Sequence, residues 1–387
     1  MLRLFLALFV VSMSIEHACM ASAADSSGKS KIGTSQPHDI EVQVWQATPE
    51  TIESVEKRVV KMMQENPESP YAHFLLSRLS LEKFSQKPDD LFLLRQASEL
   101  AQQTAELAPQ SDLGAVATCE VLDTTGQTDK ALTLLKKVMG AGVNVTWRSY
   151  FMLGRLSSEK ESYDKVLQLY NQSLGFHASK KDIIIPHVIA ILRSRHTDNA
   201  DQLEKELMHW HAQYPHVLFL ESLATVMIMK QNYRSAEKIY QIILKDDPQR
   251  IYTRINYAIM KINFLKKQKQ GIKDLQRILH EQEDHITPEF FTLIHTNIAM
   301  ALVEMKKDQQ AREHILQLYN NLDKTTALTV AHAVYDKFER YNAFKDLLVY
   351  INKNISGTDL GYSLLGEMYA QKLNNPDLRS SQQIAKV

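Results

Sequence analysis

Fourteen histidines and two cysteines are the side chains from which metal or nucleophilic chemistry would be built in this 387-residue chain. None of them falls into a productive pattern. His209 and His211 stand two apart, so on a helix they point to nearly opposite sides, whereas a helical chelate needs a spacing of four. His280 and His285 flank the acidic run from Glu281 to Asp284 without fixing a ligand set. Cys19 lies in an apolar leader, and Cys119 is left alone with no nearby His or Cys to activate it, as a small apolar residue of a packed helix would be. Gly28-Lys29-Ser30 could belong to a phosphate loop, but Ala23 stands where that loop needs glycine and no strand precedes it. Neither Gly-x-Ser-x-Gly nor His-Glu-x-x-His occurs. The chain is therefore expected to be no enzyme and to carry no cofactor and no metal. Lys plus Arg and Asp plus Glu both number 45, which gives no basic field for bulk nucleic-acid binding.

The elements that would position any binding residues follow from periodicity. Leu220, Leu223, Ala224 and Met227 form an i, i+3, i+4, i+7 stripe, and Ala236 and Tyr240 follow as an i, i+4 pair on a second helix. Asn232-Tyr233 makes the turn between them, and Pro248 closes the unit. Ala236 is small, so the two helices can approach closely. The pattern recurs: Tyr150, Leu153, Gly154 and Ser157 lead to Val166 and Tyr170; His295, Ile298, Ala299 and Leu302 lead to Ala311 and Ile315. Ala327, Val330, Ala331 and Val334 lead to Ala343 and Leu347. Looser copies run from Ala115 through Cys119 to Ala131 and Leu135, from His187 through Ala190 to Leu207 and Pro215, and from Arg254 through Tyr257 to a longer connection reaching Gly271. Tyr362, Leu365, Gly366 and Tyr369 mark a last helix with no partner.

A helical hairpin of about 34 residues with these spacings resembles the tetratricopeptide repeat (TPR) family. The resemblance implies an all-α, right-handed superhelical solenoid of TPR-like hairpins, about eight of them plus a terminal helix, over residues 48–373. It implies that first helices line a concave groove where a protein or peptide is held. Placed in the family's groove-facing slots, Phe74, Arg78, Arg148, Phe151, Arg155, Arg195 and Tyr252 become the candidate binding residues. Arg148 and Arg155 are two turns apart with Phe151 between them, and Arg195 is expected to face inward from the neighbouring first helix. Such a set would clamp a carboxylate-bearing or acidic peptide, since guanidinium groups bind carboxylates through two parallel bonds. His73, His187 and His295 fall in the large-residue slot of first helices, where partial burial is expected.

Residues 1–23 read as an export signal: Arg3, an apolar core from Leu4 to Val11, and Ala21-Ser22-Ala23 as the cleavage site. An uncleaved anchor is one alternative, although the apolar run is short for a span. A lipid attached at Cys19 is another, with Glu16 and His17 unfavourable to it. Residues 24–47 read as a flexible linker and an extended arm, because Ile40, Val42 and Val44 alternate with Glu41 and Gln43. Residues 374–387 form a polar tail. The mature chain is expected to have no transmembrane helix and to act outside the cytoplasm, in a bacterial periplasm first of all. Its expected role is a non-enzymatic scaffold or adaptor of an envelope assembly or export system. A periplasmic protein binding a carbohydrate or small ligand, with Phe151 and Tyr252 as exposed groove aromatics, is the alternative, as is a regulatory subunit of an envelope enzyme.

Overall fold

A computed structural model of the chain describes residues 39–354, apart from 50, 282–285, 323 and 339–340. The expected signal segment, most of the linker, the last helix around Tyr362 to Tyr369 and the polar tail lie outside the described residues. Within them the chain is helical, with no strand; an isolated bridge pairs Ser111 with Asn144. The all-α expectation is met, and the helices stack as successive antiparallel hairpins.

The chain divides into two compact units, residues 1–253 and 254–387. The first opens with α1 (Ile40–Trp45) and α2 (Ile52–Glu65). Five hairpins follow: α3 (Pro70–Gln86) with α4 (Leu91–Leu107), α5 (Leu113–Thr124) with α6 (Thr128–Gly140), α7 (Trp147–Ser157) with α8 (Tyr163–Phe176), α9 (Lys181–Arg195) with α10 (Ala200–Gln213), and α11 (Val217–Met229) with α12 (Tyr233–Asp246). The division falls inside α13 (Ile251–Asn263). The second unit continues through α14 (Gln268–Glu281), α15 (Pro288–Glu304), α16 (Asp308–Asn321), α17 (Lys324–Lys337) and α18 (Tyr341–Asn354). In the first unit α3 touches α5, α5 touches α7, and α9 touches α11; in the second, α15 touches α17. First helices therefore form an inner layer, in contact from α3 to α7 and from α9 to α11 in the first unit and from α15 to α17 in the second, as stacking of similar hairpins produces.

Local chemistry explains where each helix begins. Ser69 caps α3 by accepting from the Ala72 amide, with Pro70 at the first turn, and Thr287 with Pro288 does the same for α15. Asn199 and Asn232 cap α10 and α12 through their side-chain oxygens. Three hairpins turn identically. Gly126, Gln231 and Lys306 each sit at positive φ (72°, 58° and 61°) two residues past a first helix. In each, the next amide reaches back to a helix carbonyl at 2.8 Å: Gln127 to Leu122, Asn232 to Met227, Lys307 to Leu302. That is the six-to-one closure of a helix C-terminus.

Packing inside the hairpins rests on small residues. Ala131, Ala236 and Ala311, each on a second helix, have no exposed surface. The opposing small slot either donates a hydrogen bond or makes room. Ser77 Oγ donates to the Ala97 carbonyl at 2.8 Å, and Cys119 Sγ to that of Ala131 at 3.2 Å. Gly154 has neither group: a Cβ there would lie 2.8 Å from the Tyr170 ring, which fills the space instead. Cys119 is thus a packing residue, and burial pushes its thiol up to about 12.

Candidate peptide-binding groove of the first unit

The site begins at Asp39, whose carboxylate caps α1 by accepting from the Glu41 amide at 3.0 Å. The alternation of Ile40, Val42 and Val44 suggests an extended arm, but with that cap the segment is a helix. As a helix it turns Glu41, Val42, Val44 and Trp45 into the protein, all buried. It packs on α2, α3 and α9, and so lies across the inner layer of first helices.

Besides hydrogen bonds from Arg58 to Gln43 and from Gln46 to the Asp182 carbonyl, two groups of contacts hold it there. The first is ionic. The Glu41 side chain is fully buried and takes a forked pair of bonds from Arg148, Nε at 2.6 Å and Nη2 at 2.8 Å. Lys180 Nζ approaches the same carboxylate at 2.9 Å, Tyr71 Oη donates to it at 3.3 Å, and Lys180 also holds Asp39. Burial alone would lower the Arg148 pKa, but the Glu41 charge and its hydrogen bonds outweigh that and the net shift is upward. For Asp39, burial raises and the Lys180 bond and charge lower; the carboxyl ends below its ordinary value. Burial and the Glu41 charge both raise the Tyr71 phenol.

The second contact is aromatic. Trp45 meets Phe151 edge-on, centroids 5.1 Å apart, and the Arg78 guanidinium lies 3.9 Å over the indole. Arg78 and Arg155 are fixed from behind by α5: Arg78 to Glu120 at 3.3 Å, Arg155 to Asp123 at 3.2 Å and to Glu120 at 3.7 Å. Beside Trp45 lies a cavity of about 70 Å³ lined by Gln46, Arg78, Arg155, Asp182, Pro186 and His187, among others. Burial, with the charges of Arg155 and Arg78, depresses the His187 imidazole to about 3. Asp182, on the cavity wall, also contacts His216 Nε2 at 2.6 Å.

Of the sequence candidates, Phe74, Arg78, Arg148, Phe151 and Arg155 come together around α1. Phe74 and Phe151 are only 0% and 1% exposed, so they form the floor under α1. Arg195 does not join them. It lies near the end of α9 and pairs with Asp164 of α8 at 2.7 Å and with Glu206 of α10 at 3.7 Å, two second-helix carboxylates. Tyr252 is 5% exposed at the start of α13, so neither it nor Phe151 is the exposed sugar-stacking ring that a carbohydrate site would use. Glu221, on the first helix α11, is held internally by Arg250 at 2.8 Å and by Thr253. The sequence reading missed Glu41, Trp45 and Lys180. The available signal was Asp39 as a cap, followed by a carboxylate and an aromatic four residues apart.

No family model matches the chain, and no curated protein does. Solved structures of low identity do. The yeast Tom70 structure is 11% identical over 88% of this chain and 71% of that one, with a TM-score of 0.49. The human IFIT1 dimer with PPP-AAAA is 13% identical over 82% and 73%, with 0.42. A tetratricopeptide repeat protein from Parabacteroides merdae is 14% identical over 74% and 98%, with 0.35. No ligand or partner follows from similarities of this size.

Proposed function

We propose that the chain is a non-enzymatic scaffold or adaptor whose first unit takes up a segment of a partner protein on its inner face, and that it does so outside the cytoplasm, in the cell envelope. The observation that carries the reading is the forked Arg148–Glu41 bond: the inner face binds a short helical segment through a carboxylate clamp and an aromatic seat. That is how helix-in-groove recognition works. Export rests on the pattern of Arg3, the apolar run and Ala21-Ser22-Ala23. Zero formal net charge makes a nucleic-acid partner the less favoured one.

The test is capture of an envelope partner by the full chain. Reversing both Arg148 and Arg155 is too blunt, because Glu120, Asp123 and Glu41 would then face like charges. Arg148→Gln keeps a donor and removes the fork. Capture should fall about tenfold or more, the usual cost of losing a buried charged bond at an interface. The control is Lys136→Gln with Lys137→Gln, both on α6, which should leave capture unchanged. Equal capture by both variants overturns the groove reading. Intact mass of the natively expressed protein tests export: loss of residues 1–23 is expected, and a retained Met1 or a lipid on Cys19 overturns it.

A further inference from the structure

Helix α1 is six residues long. A helix of that length does not persist alone in water, so the groove holds it in shape. It is covalently tied to α2 by a short connection and also bonded to it, Arg58 donating to the Gln43 side chain, which keeps it at high effective concentration beside its seat.

The distribution of charge separates what belongs to the groove from what belongs to α1. The ion pairs of Arg78 and Arg155 with Glu120 and Asp123 run to α5 and involve no residue of α1. The ion pairs of Arg148 and Lys180 all run to Glu41 or Asp39. Their side chains are only 14% and 7% exposed. With α1 lifted away, two cations would face the groove beside the apolar seat of Trp45, and Arg148 would keep only the more distant charge of Asp112 in place of its forked bond to Glu41. The fit of α1 is also imperfect: Trp45 Nε1 and Arg78 Nε are buried without a protein hydrogen-bond partner, next to the cavity.

We propose that α1 is a displaceable internal ligand of the groove, and that the partner is a protein presenting a short helix with a carboxylate and, four residues on, an aromatic ring, which takes over Arg148, Lys180 and the Phe151 seat. The proposal rests on the groove reading above and adds the ligand's chemistry and its control by the chain itself. Glu41 and Trp45 stand at i and i+4, so a helix shows both on one face. A partner with that pair replaces both contacts at once, whereas one with the carboxylate alone leaves the aromatic seat to Trp45.

The probe is a labelled peptide with the sequence of residues 38–47 and blocked ends. It is titrated into the full chain and into the Glu41→Lys, Trp45→Ala double variant, with hydrogen exchange of residues 40–46 measured in parallel. The expected result is rapid exchange at 40–46 in the variant and peptide binding at least about tenfold tighter than to the wild type, since the internal competitor is gone. A peptide with Gln in place of Glu41 should lose most of that affinity, and excess parent peptide should raise exchange at 40–46 in the wild type. Equal affinity for both chains overturns the proposal. So does loss of protection throughout residues 70–195 in the variant, which makes α1 a structural element. The milder Glu41→Gln chain overturns it too if α1 stays protected against excess peptide. A concentration-dependent dimer that keeps 40–46 protected assigns the seat to a second copy and overturns a heterologous partner. The two readings fail separately. If Arg148→Gln abolishes partner capture but the opened variant captures no better than wild type, displacement falls and the groove stands. If Arg148→Gln leaves capture intact, the groove itself falls.

Discussion

His187 is kept neutral by its surroundings. It stands edge-on to Phe151 at 5.0 Å and beside Tyr170 at 6.1 Å, with Arg78 and Arg155 as the nearest charges and Asp182 on the same cavity wall. Burial first, then those two arginines, lower its pKa from 6.5 to about 3. A histidine with a depressed folded pKa favours folding fully above its unfolded pKa. Below about 6.5 the unfolded chain takes up a proton that the folded chain refuses, so stability falls with pH down to about 3. By pH 5 the loss is at most roughly 2 kcal/mol. His187→Gln should flatten this part of the profile of the first unit, measured as urea midpoints between pH 7.5 and pH 5; an unchanged slope would show that His187 is not the group responsible. At this scale the sequence revealed one side of the site. Arg148, Phe151 and Arg155 are visible as one face of one helix because their relation is local. The carboxylate that Arg148 meets is 107 residues away, and no periodicity links Glu41 to Arg148. Arg195 shows the converse: its slot is right for an inward residue, but a long side chain near a helix end follows the nearest carboxylates, here Asp164 and Glu206.

The hairpin is the element the sequence defines best. Its apolar stripes, small contact residues and caps agree with one another, and agreement among local signals is what marks an element. The turns were only half visible. Asn232-Tyr233 was readable as a turn, but the left-handed residue before it is glycine in only one of three equivalent turns. This gives a paired prediction. Gly126 sits at φ 72° with nothing near its missing side chain, so Gly126→Ala should cost about 1–2 kcal/mol through backbone strain alone. Gln231 is exposed at φ 58°. There Gln231→Gly removes the strain and loosens the unfolded chain, for a net gain of roughly 0.5 kcal/mol. Chemical denaturation of both variants checks the signs. Destabilisation by Gln231→Gly would mean that the turn is held by side-chain contacts and not by backbone geometry. Helix α1 was not legible because six residues show too little of either period to distinguish helix from strand. What decides it is a local cap at Asp39 and a distant seat on α3 and α9.

At the scale of the whole molecule, the stacked hairpins imply how damage should spread. In such an array each hairpin is supported mainly by its neighbours, so stability is close to a sum of intrinsic and nearest-neighbour terms. Ala131 on α6 and Ala311 on α16 test this in the first and second units; both are fully buried at a helix–helix contact. In a close-packed interior the added methyls of leucine must displace something, and each substitution should cost about 1–3 kcal/mol by overpacking. Hydrogen exchange should show where. Ala131→Leu should deprotect α5 and α6 first, then α3, α4, α7 and α8, with the second unit little changed. Ala311→Leu should act on α15 and α16 first, then on α14 and α17, and leave α3 to α8 protected. If either substitution instead lowers protection evenly over residues 51–354, the chain unfolds as one cooperative body and the nearest-neighbour picture is wrong. If Ala131→Leu also frees residues 40–46 before α5 and α6 loosen, then α1 is held more weakly than the hairpins that seat it, which is the order a displaceable segment requires.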